Sequence, residues 1–114
     1  MASTFKNNTK SSLVTAAITD PTATVVTAGG TANLVLLSIM ASNKTGSSVN
    51  VDVYLDSSTG NDVYLIRNAP VPAGSTLELI LGNKVIMQSN DKLQARCDTG
   101  SAADMIVSYL EQTP

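Results

Sequence analysis

The sequence predicts an all-β domain, a β-sandwich or jelly-roll of about eight or nine short antiparallel strands with almost no helix. Along several short runs, β-branched and other apolar residues alternate with polar ones. This period of two places successive side chains on opposite faces of a strand. Clusters of Gly, Pro, Asn and Ser separate the runs at the spacing expected of a sandwich. With 114 residues, the chain has room for one such domain and not for two.

The region 62–81 shows how turns separate the strands. Two apolar runs, 62–67 and 75–81, flank a loop that contains Pro70 and Pro72. Because proline has a fixed φ and no backbone N–H, both residues oppose helix formation and strand pairing. We therefore predict two core strands joined by a stiff, proline-containing loop.

The other runs have the same character, and a turn or loop separates each from the next. Along 92–98 the alternation is regular, so Leu93 is expected to face the core and Gln94 the solvent. By the same alternation, Leu81 shares the inward face of Leu77 and Leu79, and the predicted core residues are Val51, Val53, Leu55, Leu65, Leu77, Leu79 and Leu93. In chain order, the predicted strands are 13–18, 22–27, 32–42, 48–56, 62–67, 75–81, 85–87, 92–98 and 105–110.

The first residues of the chain, 1–12, are polar apart from Met1 and Phe5. We expect them to form a loosely held N-terminal arm, since terminal segments become ordered only where contacts hold them. Phe5, the sole phenylalanine of the chain, is a candidate anchor onto a neighbouring copy. The remainder, 13–114, is predicted to be the single β-sandwich domain.

The run 32–42 differs from the others because it is apolar on both faces. By alternation, the two faces carry Leu34, Leu36 and Met40, and Val35, Leu37 and Ile39, respectively. A two-layer sandwich covers only one face of a strand, so the other needs a further layer, another subunit or the wall of a particle. We therefore predict a homo-oligomer, or repeated copies on a larger particle. The predicted interface residues are Phe5, Leu34, Leu36 and Met40.

The composition argues against several classes of partner. Charged residues make up 14% of the chain and the formal net charge is -2. A surface with so few charges is easily desolvated and suits packing against another protein. The basic residues are scattered, which disfavours nucleic-acid binding. No apolar run is long enough to span a bilayer, and the N-terminus lacks the apolar core of a signal peptide. We therefore expect synthesis in a cytoplasm and no membrane partner.

Residues that could carry chemistry are few. The chain has no histidine, which removes the commonest general base and most zinc sites. The single cysteine, Cys97, excludes an internal disulfide and falls at an inward position, so we interpret it as a small buried hydrophobe. Asp52 and Asp56 share one strand face, where a solvated face is a simpler interpretation than a glycosidase pair. The oxygen-rich loop 56–62 departs from the EF-hand calcium pattern. We expect no catalytic residue, no cofactor and no metal.

Three segments have a recognisable pattern of strand and turn residues: TFKN at 4–7, VDVYL at 51–55 and VYLIRNAPVPAGSTL at 63–77. Together with 93–98 and the closing YLE at 109–111, they resemble the small virion structural proteins of tailed phages, especially phages that infect marine and freshwater cyanobacteria. The resemblance implies a non-enzymatic protein located in the virion and made in the host cytoplasm. It would be a capsid decoration (cement) protein that stabilises the shell, or a component of the neck, tail or baseplate. Its implied partners are the major capsid protein or other virion proteins, and its implied oligomer is a trimer.

A second class of function remains open from the residues alone. The three tyrosines, Tyr54, Tyr64 and Tyr109, could stack against sugars in a carbohydrate-binding β-sandwich module. Alternatively, they sit where half-buried sheet faces meet water or a neighbour.

Overall fold

A computed structural model describes residues 2–80, 82 and 84–114 and confirms the all-β prediction. A short 3-10 turn at Pro21–Ala23 is the one helical element of this described part. The strands, in chain order, are β1 (Ala2–Lys10), β2 (Thr24–Thr27), β3 (Asn33–Asn43), β4 (Val49–Asp56), β5 (Val63–Val71), β6 (Thr76–Glu78), β7 (Val85–Met87), β8 (Lys92–Cys97) and β9 (Ala103–Thr113).

The strands form two antiparallel sheets that pack face to face as a sandwich. Sheet A has the order β1-β9-β3-β6, and β7 pairs with another part of β3. Sheet B has the order β2-β8-β4-β5. Each sheet places alternate side chains in the shared core and the others on its outer face, as expected of such a sandwich.

The core draws on both sheets and agrees with most of the predicted inward positions. Val51, Val53 and Leu93, predicted to face inward, are fully buried. The fully buried larger side chains are Leu13, Leu34, Leu36, Ile39, Met87, Leu93, Val51, Val53, Val71, Val107 and Cys97. The residues also predicted to form the core but only partly buried are Leu55, Leu65, Leu77 and Leu79. The predicted inward residue Leu81 lies outside the described residues.

A bulge in β3 changes which of its residues face the core. Leu36 is opposite Tyr109 of β9, whereas Ser38 is opposite the next residue, Ser108, so Leu37 is the extra residue of the bulge. Such an insertion shifts the alternation by one position. Before it Leu34 and Leu36 are buried, and after it Ile39 and Ala41 are buried. The prediction that Met40 shares a face with Leu34 and Leu36 is therefore wrong.

The N-terminal segment is an edge strand rather than a loosely held arm. Residues Ala2 to Lys10 pair with β9 over nine consecutive positions, from Ala2 opposite Thr113 to Lys10 opposite Met105. Side-chain contacts reinforce this pairing, because Asn8 accepts a hydrogen bond from the hydroxyl of Tyr109 at 3.0 Å. The amide of Asn8 also donates to the carbonyl of Val25 in β2, which ties the edge strand to sheet B.

Residues 13–18, predicted as a strand, follow an irregular path beside β8. The backbone N–H of Cys97 donates to the carbonyl of Val14, and the side chain of Arg96 donates to the carbonyls of Thr15 and Ala16. The amide of Gln94 reaches the carbonyl of Asp20, and Gln94 is only 2% exposed. The prediction of a solvent-facing Gln94 is therefore wrong, because this segment covers the outer side of β8.

The loop predicted around the two prolines begins later than expected. Strand β5 continues through Pro70 to Val71, and Pro70 lies opposite Asn50 of β4. Because β5 is the edge of sheet B, the missing N–H of proline is tolerated there. The chain turns only after Val71, where the N–H of Ser75 donates to the carbonyl of Pro72.

Candidate interaction surface

The outer face of sheet A carries a row of apolar side chains in register across four strands. Phe5 of β1 lies opposite Leu110 of β9, Leu110 lies opposite Val35 of β3, and Val35 lies opposite Ile86 of β7. Leu34 and Leu36 beside Val35, and Tyr109 beside Leu110, are buried, so Val35 and Leu110 point away from the core. Phe5 and Ile86 share their face, because directly opposite residues of paired strands point the same way. Phe5 is 77% exposed and Ile86 is 52% exposed, while Val35 and Leu110 are half-buried. We call these four residues the apolar row.

Further apolar residues extend the apolar row along the same face. Met40 lies opposite Ile106 and is 37% exposed. Leu37, the extra residue of the β3 bulge, lines a shallow depression together with Phe5 and Ser108. We use the term outer apolar face for the apolar row together with Leu37, Met40 and Ile106. Large exposed apolar patches mark interaction sites, so this face is the candidate interaction surface.

A fixed carboxylate borders this surface on the β6 side. Glu78 lies opposite Met40 and accepts hydrogen bonds from the Ser38 hydroxyl and from the N–H groups of Ile39 and Ile80. Partial burial alone would raise the pKa of Glu78, but these hydrogen bonds outweigh it and hold the pKa below its usual value. The outer apolar face therefore has an ionised, positionally fixed acid at this border.

A second charged group lies near the start of β9. The carboxylate of Asp104 accepts the N–H of Ser12 at 2.7 Å and the ammonium of Lys44 at 2.9 Å. The hydrogen bond from Ser12, followed by the contact with Lys44, lowers the pKa of Asp104. Beside it lies a shallow depression lined by Thr9, Lys10, Ser11, Ser42, Asp104, Met105 and Ile106.

The structure separates the four predicted interface residues into two pairs. Phe5 and Met40 lie on the outer apolar face, as an interface requires. Leu34 and Leu36 are buried between the sheets, so their assignment to an interface is wrong. The sequence indicates that β3 is apolar on both faces, but it does not reveal the bulge that puts Leu34 and Leu36 inside and Met40 outside. The other residues of the outer apolar face, which were not predicted as interface residues, are Val35, Leu37, Ile86, Ile106 and Leu110.

The two carboxylates considered as a hydrolytic pair have different surroundings. Asp52 is buried on the outer side of β4, where it accepts hydrogen bonds from the guanidinium of Arg96 at 3.0 Å and from the N–H of Asn68. Asp56 lies at the end of the same strand, opposite Lys92 of β8. The contacts of Asp52 are those of a structural ion pair, so the interpretation of this face as simply solvated is wrong at Asp52.

The remaining candidate ligands serve local structure. In the loop considered for calcium, Asp62 accepts the N–H of Ser57 and the hydroxyl of Tyr54. Among the described residues, no three His, Cys, Asp or Glu side chains come together as a possible metal site. Cys97 is fully buried, and this burial raises the pKa of its thiol. A buried thiol of this kind is a poor nucleophile.

Two of the three tyrosines meet on the outer face of sheet B. The rings of Tyr54 and Tyr64 are 5.0 Å apart with an interplanar angle of 69°, an edge-to-face contact. The guanidinium of Arg67 lies 5.2 Å from the centre of the Tyr64 ring. Tyr109 is buried elsewhere, between the sheets. The predicted trio is therefore reduced to a pair.

No protein-family model, curated protein or solved structure matches this chain. Among the described residues, no helix is long and apolar enough to cross a membrane.

Proposed function

We propose that this chain is a non-catalytic structural protein of a phage particle, a capsid decoration protein that places its outer apolar face on the shell. The observation that carries the proposal is the apolar row, in which four exposed or half-exposed side chains from four strands lie side by side. The partner would be the major capsid protein. The resemblance to small virion proteins of tailed phages supports a particle as the setting.

The shape of the surface favours a protein partner over a small ligand. Small molecules bind in concave sites that enclose most of their surface, whereas protein partners bind on broad faces with an apolar centre and a polar border. The outer apolar face spans the width of sheet A, and the depressions beside Phe5 and beside Asp104 are shallow. Glu78 and the Asp104–Lys44 pair supply polar groups at its borders.

The same surface would serve a component of the neck, tail or baseplate. At each of these positions the partner would be a different virion protein, but binding would again bury the outer apolar face. A cryo-EM map of the parent particle, from the phage whose genome encodes this chain, decides among them. Density for the chain on the capsid lattice, in many symmetry-related copies, is the expected result, and density confined to the neck or tail would overturn the capsid assignment.

The role of the surface is tested by rebinding the purified protein to parent particles from which the chain has been deleted. Ile86→Lys places a charge in the apolar row, and Val63→Lys is the matched control, since Val63 is 49% exposed on β5 of sheet B. Burying an unpaired ammonium is unfavourable, so we expect Ile86→Lys to weaken attachment by about tenfold or more. The control should attach like the unmodified chain. Equal attachment by both variants would contradict the proposal.

A carbohydrate-binding module is the second candidate, and the Tyr54–Tyr64 contact is the observation that favours it. Their rings offer apolar surface on which a sugar could stack, and the carboxylate of Asp62 accepts a hydrogen bond from the Tyr54 hydroxyl beside them. However, Arg67 already occupies one face of Tyr64. A glycan array separates the two proposals, because binding that is lost in Tyr64→Ala and retained in Ile86→Lys would favour the carbohydrate function.

A further inference from the structure

Most edge strands of this sandwich carry a feature that opposes pairing with another chain. Strands β6 and β7 have three residues each, and β2 has four with a register shift. Strand β5 is longer, but its pairing with β4 shifts register twice, Asn68 has a φ of 53° and Pro70 lacks a donor. Short length, bulges and proline are the usual protections of an edge.

Strand β1 has none of these protections. Its nine residues pair with β9 without a register shift, none of them is proline, and none of the described positive-φ residues lies within it. One side of β1 is bonded to β9 and the other is the outer edge of sheet A. Lysine also protects edges, but the ammonium of Lys6 lies 2.8 Å from the carboxylate of Glu111, which reduces its repulsion of a second strand, and Lys10 is the last residue of β1. A long, flat edge of this kind is a template for another strand.

We infer that β1 pairs with β1 of a second copy of this chain, as antiparallel strands related by a two-fold axis through Phe5. A two-fold axis perpendicular to the sheet keeps both outer faces on the same side, so the residue on the axis lies opposite itself. This pairing joins the two copies of sheet A into one continuous sheet. It does not depend on attachment to a particle.

The charges on β1 select the register. An axis through Lys6 would give a longer overlap but would place the two Lys6 side chains directly opposite each other, which is destabilising. An axis through Thr4 would leave a shorter overlap. An axis through Phe5 pairs Thr4 with Lys6 and Ser3 with Asn7 of the second copy, and it keeps the Lys6 side chains apart.

The apolar row gives the second copy its energetic reason to bind. Phe5 lies at the end of the apolar row, at the edge of the sheet. It is the sole phenylalanine of the chain, and 77% of it is exposed. In the proposed register it lies beside Phe5 of the second copy, so each ring loses solvent contact. Aromatic pairs of this kind are favourable across antiparallel strands. The apolar row then continues from Ile86 of one copy to Ile86 of the other.

Oxidative cross-linking of the full chain tests both the pairing and its register. Directly opposite residues have Cβ atoms about 5 Å apart, within reach of a disulfide after modest adjustment. Because Phe5 itself contributes to the proposed contact, the cysteines are placed at positions that keep it: a mixture of Ser3→Cys and Asn7→Cys should form a covalent dimer on a non-reducing gel. The unmodified chain, whose Cys97 is fully buried, is the background control, and Val63→Cys is the control for the β5 edge.

The register is tested with Ser3→Cys and Asn7→Cys, differently tagged. In the proposed pairing, a mixture of the two forms a disulfide-linked heterodimer. Each alone should not cross-link, because its own copies lie four residues out of register, roughly 13 Å apart, which is too far for a disulfide. Cross-linking of the single variants as efficient as that of the mixture would overturn the register. Failure of the mixture to cross-link above the background, or equal cross-linking of Val63→Cys, would overturn the pairing. Neither result involves a particle, so it is distinguishable from failure of the proposed function.

Discussion

Strands β1 and β5 are edge strands of equal length, nine residues each, and they belong to different sheets. Strand β1 follows β9 in unbroken register, and its outer edge is regular along its whole length. Strand β5 departs from regular pairing at several positions, with Asn68 in a left-handed conformation and Pro70 near its end. Equal length and position at an edge therefore do not make two strands equally available to a partner.

The irregularity of β5 has an identifiable cause in the strand beside it. Asp52 of β4 points to the outer face, where its carboxylate accepts the N–H of Asn68 and binds Arg96. The carboxylate occupies the backbone donor of Asn68, so this N–H is turned away from a possible incoming strand. The pairing of β1 with β9, by contrast, is a regular ladder without a register shift. The difference favours the β1 edge of sheet A over the β5 edge of sheet B as the place of the proposed pairing.

The largest expected effect concerns the group that shapes β5. Asp52→Ala removes the acceptor of both Asn68 and Arg96, so we expect a loss of about 2–4 kcal/mol in the free energy of unfolding. Asp56→Ala, on the same strand nearer the solvent, is the control and should change it by less than about 0.5 kcal/mol. Denaturant titrations measure both values. Similar midpoints for the two variants would contradict the structural role of Asp52.

A smaller effect is expected at the left-handed residue itself. A φ of 53° suits Asn or Gly but not a β-branched residue. Asn68→Val should therefore cost about 1–3 kcal/mol of stability, while Asn68→Gly should stay within about 0.5 kcal/mol of the unmodified chain. Thermal or chemical unfolding of the pair measures the difference. If Val were tolerated as well as Gly, the irregularity would not distinguish β5 from β1.

The weakest expected effect is that of pH, which acts through three carboxylates held by hydrogen bonds, one of them just after β1. Glu78, Asp91 and Asp104 have pKa values lowered by hydrogen bonds, and Asp104 holds the N–H of Ser12 where β1 ends. A carboxylate with a lowered folded-state pKa stabilises the fold above its unfolded pKa, and this contribution is lost as the pH falls through the folded value. The chain has no histidine, so stability should be flat from about pH 8 to pH 5 and fall below about pH 4.5. Thermal melts across this range check it, and a transition near pH 6 would contradict it.

The fold class followed from local patterns that do not depend on distant partners. The alternation in β4 and β8 placed Val51, Val53 and Leu93 correctly in the core. The alternation along a strand and the residue types of its turns involve only neighbours in sequence, so both can be read from a single sequence. The two-faced character of β3 was visible for the same reason.

The features that the sequence did not reveal depend on contacts between distant segments. The bulge at Leu37 exists because β3 pairs with β9, and it reverses the side on which Met40 lies. Gln94 is buried because residues 13–20 cover β8, which no alternation along β8 could indicate. The order of the N-terminal segment depends on pairing with the last strand of the chain. The apolar row likewise appears only when four strands are placed in register.

Hydrogen exchange at two protein concentrations tests most directly the claim that the molecule associates through sheet A and not through sheet B. The exchange of residues 2–10 and of residues 63–71 is followed by mass spectrometry at low and at high micromolar concentration. Pairing between copies would satisfy the outward amides of β1, so their exchange should slow as the concentration rises, while that of β5 stays constant. Slower exchange in β5 with no change in β1, or no change in either strand, would contradict the account.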